Sequence, residues 1–257
     1  MIRTLRRGAE PEAGSKPKSS PDSMTLFEHL GELRRRLIVS IVTFMAGGIV
    51  CYAIYNQILT FLRAPYCKAF AHHSCPNLII NTPLQGFSAR LDICALGGFI
   101  IALPIIIWEL WQFVTPGLKA NEKRYALPFV FSTVLLFVAG ALVAYEMFPR
   151  GIGFLVRSSG AHVAPLITVQ SYVSLISLLM LVFGIAFEFP VILVALEIAG
   201  AITPRGLRRF RRFAILIIVV VAAVVTPSAD PFSMFALAAP LYLFYEGSIV
   251  IGRMLGK

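Results

Sequence analysis

Six apolar runs of roughly bilayer-spanning length leave this chain few folds to choose from. They lie near residues 37–56, 91–113, 126–148, 171–198, 213–226 and 232–251, separated by short polar segments. About 20 apolar residues in a helix cross the hydrocarbon core, and lipid offers the backbone no outside hydrogen-bond partner, so such runs span as helices. The composition agrees: 58% of residues are hydrophobic and 14% charged, against roughly 45–50% and 25% in soluble domains. The expected fold is an all-α integral membrane protein with six transmembrane helices. Residues 1–23 carry no apolar period and read as a flexible tail, leaving 24–257 as one six-helix domain. No soluble domain fits between the runs.

The charge balance sets the orientation. Of 23 Lys and Arg, 18 fall on one side: the chain up to Arg36, residues 114–125, residues 199–213 and the C-terminus. The other side holds only Arg63, Lys68, Arg90, Arg150 and Arg157. Positive residues collect in cytoplasmic loops, so both termini are expected in the cytoplasm. The net charge of +10 is thus a matter of topology. No zinc-finger, RNP or basic-zipper pattern accompanies it, so nucleic acid is not an expected partner. The fifth run, residues 213–226, spans only about 21 Å at ~1.5 Å per residue. Either the bilayer thins there or Arg211 and Arg212 snorkel and lengthen the span. The sixth run is a second candidate for a short span.

Several residues could carry function. Before the first run, Thr25 and Glu28 have capping-box spacing, and Leu26, Leu30, Leu33 and Leu37 share one face. Glu32 stands four residues before Arg36. It reads either as a surface ion pair or as a carboxylate displayed for a cationic partner. After the second run, Pro116-Gly117 ends a helix, Asn121 can cap the next, and Glu122 adds a second carboxylate on the same membrane side. Two such groups could each take a guanidinium bidentately, which Lys cannot match. Within the fourth run, Glu188 is an ionisable group at membrane depth, costly to keep there and normally facing protein or water. Pro190 cannot donate to the Ala186 carbonyl, so a kink is expected beside it. Asp92, Glu109, Glu146, Glu197 and Glu246 lie nearer run ends and read as interfacial.

Cys67 and Cys75 lie in the external segment 57–90 and could form a disulfide in an oxidising compartment. Cys51 and Cys94 read as packing residues. The four histidines have no ligand spacing, no metal or cofactor is signalled, and no nucleophile elbow, P-loop or paired catalytic carboxylates point to an enzyme.

Taken in order, these segments resemble the TatC family of twin-arginine protein translocase subunits over about residues 24–255. The resemblance is carried by His29-Leu-Gly-Glu32-Leu-Arg34-Arg35-Arg36, Ala64-Pro65, Pro104, Trp111-Gln-Phe113-Val-Thr-Pro116-Gly-Leu with Glu122-Lys-Arg124, Phe183-Gly-Ile-Ala-Phe187-Glu188-Phe189-Pro190, and Thr226-Pro-Ser-Ala-Asp230. It implies a receptor that binds twin-arginine signal peptides at the cytoplasmic face and nucleates a complex exporting folded proteins, driven by the proton motive force. Its implied peptide-binding residues are Glu32, Glu122, Phe113, Pro116, Arg34 and Arg124. Glu188 matches the family's intramembrane glutamate, while Pro65, Thr226 and Asp230 are partner or structural positions. The implied partners are the single-span subunits TatA and TatB, lipids and further copies of this chain, with no cofactor. The sequence departs from the family pattern at Ser228-Ala229 and Met234. The segment before Met24 has no counterpart, which makes Met24 a second candidate translation start. A small transporter or channel using Glu188 as a relay, and a structural scaffold for other subunits, are the competing classes.

Overall fold

The computed structural model describes residues 26–69, 75–114, 126–158, 160, 166–198, 200–226 and 231–254. Among them the regular elements are helices: α1 (Leu26–Ala53), α2 (Tyr55–Ala69), α3 (Pro83–Val114), α4 (Ala126–Ser158), α5 (Val169–Phe187), α6 (Phe189–Ile198), α7 (Pro204–Val225) and α8 (Pro231–Met254). Five spans are long and apolar enough to cross a membrane: α1 from Leu30, α3, α4, α5 with α6, and α8. The sixth is α7, whose first turns are Arg-rich. Its apolar part, Phe213 to Val225, is about 20 Å long at 1.5 Å per residue. The chain is a six-span α-helical membrane protein. At 24 residues, α8 is not short.

Close packing in lipid needs small residues, because no hydrophobic force pushes helices together there. On α1 and α3 those residues are glycines. A Cβ on Gly98 would lie 2.8 Å from the Gly48 nitrogen and 2.9 Å from the Phe44 oxygen. Backbone meets backbone, and α1 packs chiefly on α3 while Leu37, Ile41, Val42 and Ile49 face outward. The α4–α5 contact works by a knob instead: the Phe137 ring fills the space left by Gly184.

The fourth span breaks where Pro190 predicts a kink. Helix α5 ends at Phe187, Glu188 is its C-cap, and α6 starts at Phe189. A proline in a helix withdraws a donor from the carbonyl four residues back.

The external segment holds an element the apolar runs do not reveal, the helix α2 with Pro65 inside it. Pro65 leaves the Phe61 carbonyl without its usual donor, and the Tyr145 hydroxyl donates to it at 2.8 Å. Tyr172 donates to the neighbouring Leu62 carbonyl. Arg63 donates to Asn77 Oδ1 at 3.2 Å, and Ile79 forms a parallel bridge to Thr168. The Cys67–Cys75 disulfide closes this outer cap. Beneath it a core of Leu62, Tyr66, Ile93, Phe148, Tyr172 and Ile176 runs into the bundle.

Candidate functional site

The opposite, Arg-rich face is held by charge. Glu32 and Arg36 are four residues apart and lie on the side of α1 turned to α3. Glu109 and Gln112 are three apart in the last turns of α3, so they share a face. The two faces meet around one guanidinium. Arg36 Nε and Nη2 donate to Glu32 Oε1, the former at 3.1 Å. Its Nη1 donates to Glu109 Oε2 at 2.9 Å and to Gln112 Oε1 at 2.8 Å. All three ionised groups are largely sheltered, with side chains 16–24% exposed. Two carboxylates around one guanidinium leave the cluster one negative charge in excess. Glu32 Oε2 is buried and has no hydrogen-bond partner among the described residues. Such a cluster can accept another guanidinium, since carboxylates bind that fork through two parallel N–H···O bonds.

Sequence reasoning pairs Glu32 with Arg36 but places Glu109 at an interface and passes over Gln112. Their convergence depends on how α3 packs on α1, which no local spacing encodes. Arg34 and Arg35 are exposed beside the cluster. Phe113 is partly buried in the last turn of α3, and the Trp111 ring packs tilted against Phe129 of α4, centroids 4.6 Å apart. Pro116, Glu122 and Arg124 lie outside the described residues, as do Thr25 and Asp230.

Glu188 sits at the α5–α6 break, partly buried, with Oε1 lacking a partner. The buried Thr133 hydroxyl of α4 faces its carboxyl. Thr226 is buried, caps α7, and donates to the Ala222 carbonyl at 2.8 Å. Pro65 is buried in α2. No group of three or more metal-ligating residues occurs among the described residues.

One run-end acid differs from expectation. Glu197, read as interfacial, is 0% exposed, and its two carboxylate oxygens have no partner. It packs on Gly252 of α8, where a Cβ would collide with it. The last turn of α8 covers a position that would be exposed on a lone helix. Asp92 accepts from Gln170 at 3.0 Å and from Ser174, tying α3 to α5 near the outer face.

A six-span bundle with a disulfide-closed cap at one end and an acid–guanidinium cluster on its Arg-rich face defines a polytopic α-helical membrane protein. Residues 28–240 match the family profile described as Sec-independent protein translocase protein (TatC). The chain is 38% identical to the TatC of Koribacter versatilis over 88% of its own length and 84% of that protein's. It is 36% identical to the TatC of Aquifex aeolicus, covering 90% and 95%. Against the Frankia casuarinae TatC it is 37% identical over 89% of this chain and spans 65% of that longer relative. A crystal structure titled as the twin arginine translocase receptor TatC superposes with a TM-score of 0.72 at 36% identity, covering 90% of this chain and all of that one. The chain belongs to the TatC family. It is a subunit of a Sec-independent protein translocase, and so a transport component, not an enzyme.

Proposed function

We propose that this chain receives twin-arginine signal peptides on its Arg-rich, cytoplasmic face and nucleates the complex that exports folded proteins on the proton motive force. One observation carries the reading: Arg36 already shows how a guanidinium seats between Glu32, Glu109 and Gln112, and the cluster keeps a carboxylate oxygen without a partner. An incoming arginine would use Glu32 Oε2, or displace Arg36 from one carboxylate. Glu122, with Pro116 and Arg124 in the same loop, would take the second arginine, while Phe113 packs the peptide beside it. Arg34, exposed beside the cluster, would help hold the carboxylates' orientation for the incoming fork. Charge-assisted bonds of about 1.5–3 kcal/mol each would favour paired arginines over lysines through bidentate geometry.

The signal's apolar segment would lie along the bundle towards Glu188, whose carboxyl and Thr133 make a polar point at membrane depth. TatA- and TatB-like single-span subunits would pack near Thr226 and Asp230, further copies of this chain would join the same complex, and the termini would stay in the cytoplasm of an inner-membrane protein. The test is export of a twin-arginine cargo in cells carrying Glu32→Ala with Glu122→Ala. The expected result is loss of export with normal accumulation of the subunit. Wild-type export by the double variant would rule out this binding site.

A further inference from the structure

We infer that the face of α7 formed by Arg205, Arg208, Arg209 and Arg212 is a docking surface for the headgroups of anionic phospholipids. Five arginines crowd the first nine residues of α7, and helical geometry divides them. Positions 205, 208, 209 and 212 follow the i, i+3, i+4, i+7 period of a single face. All four are exposed. Arg211 falls off that face and turns to α8, where it pairs with Glu246. Among the described residues it is the one arginine of the five with a salt bridge.

Among the described residues no carboxylate forms an ion pair with the other four. Glu246 is engaged by Arg211 and accepts from Tyr242, and Glu197 is fully buried. The stripe is also unobstructed, because α7 packs on α8 and on no other helix to a comparable extent. Collecting positive charge on one membrane side requires neither a single face nor the absence of counter-charges. That arrangement calls for a ligand.

The continuation of the face indicates which ligand. One and two turns beyond Arg209 and Arg212 stand Phe213, Leu216 and Val220, each more than half exposed. A cationic turn above an open apolar strip matches a lipid with an anionic head and acyl chains. An acidic soluble partner would leave the strip unused. The guanidinium fork pairs bidentately with phosphate oxygens, and the positive N-terminal end of α7 adds to the attraction. The short apolar part of α7 draws headgroups inward to meet the arginines.

The test is native mass spectrometry of the full-length protein from detergent micelles doped equally with phosphatidylglycerol and phosphatidylcholine. The wild type is expected to retain the anionic lipid about tenfold over the zwitterionic one, a fraction of what four juxtamembrane charges can supply. Replacing Arg205, Arg208, Arg209 and Arg212 with Gln should bring the ratio within about twofold of unity. The four-Lys variant should keep most of the preference, and replacing Arg3, Arg6, Arg7 and Lys16 with Gln should keep all of it. If the fourfold Gln variant does not accumulate, Arg208→Gln and Arg212→Gln taken singly should each halve the preference. An undiminished preference in the Gln variants would overturn the inference, as would equal loss in the tail variant. Binding of a soluble polyglutamate peptide at these arginines, unaffected by phosphatidylglycerol, would also overturn it by marking a protein-docking surface.

Discussion

The two ends of the bundle are held together by different chemistry. The outer cap relies on a disulfide, a backbone bridge and two tyrosine hydroxyls bonded to carbonyls beside a proline. Charged groups brace the same end, Arg63 through Asn77, Asp92 through Gln170 and Ser174, and Lys68 beside Glu146, but the disulfide, the bridge and the tyrosine bonds join neutral groups that no soluble ion replaces. The Arg-rich face relies on Arg36 among Glu32, Glu109 and Gln112 and on Arg211 with Glu246. Ion pairs can be exchanged by any incoming group of the right charge and shape, whereas a covalent bond or an internal hydroxyl–carbonyl bond cannot. One end is closed by a covalent bond and internal hydroxyl–carbonyl bonds, the other by ion pairs that are open to exchange.

Breaking the cap should cost most. Cys67→Ser with Cys75→Ser opens a loop with a sequence separation of 8, and loop-closure entropy predicts about 2–3 kcal/mol of lost stability. Thermal unfolding in micelles, with and without reductant, should show the wild type falling to the variant's midpoint only when reduced. Next comes Tyr145→Phe, which strands the Phe61 carbonyl for about 1–3 kcal/mol. Pro65→Ala returns a backbone donor to that carbonyl, so the loss from Tyr145→Phe should shrink in the Pro65→Ala background. A double-mutant cycle reads the difference, and strict additivity would show that the hydroxyl does not substitute for the missing donor.

On the other face, Arg36→Gln should cost about 1–3 kcal/mol, because it leaves Glu32 and Glu109 sheltered without their cation. Unlike the cap variants, its deficit should shrink as salt rises. Smallest is Lys68→Ala: Lys68 and Glu146 are 3.7 Å apart with both side chains about 60% exposed, and such pairs contribute below about 0.5 kcal/mol. A larger effect would mean that the cap also draws on charge.

How much of this could be read from residues alone depended on the range of the interactions. The spans follow from apolar runs, which are local, and the break at Glu188 follows from Pro190. The Glu32–Arg36 pair is legible at i, i+4, but Glu109 joins it from 73 residues away, where close contacts through Gly47, Gly48, Gly97 and Gly98 set the register of α1 on α3. Glu197 lies at a helix end and still becomes fully buried, because α8 covers it. Helix α2 escapes a search for apolar runs, since an amphipathic helix on a membrane face needs no continuous apolar stretch. Sequence reasoning takes Arg211 and Arg212 together as snorkelling residues; that Arg211 pairs with Glu246 while Arg212 stays exposed depends on where α8 packs.

The central claim, that the acid cluster of the Arg-rich face exchanges guanidinium groups, is tested most directly by site-specific photo-crosslinking. Probes beside Glu32 and in the 115–125 loop, in native membranes, would be challenged with a twin-arginine signal peptide and its twin-lysine counterpart. Crosslinks that form with the arginine peptide and vanish with the lysine one are the predicted result. Equal crosslinking of both peptides, or none with either while the subunit remains intact, would contradict it.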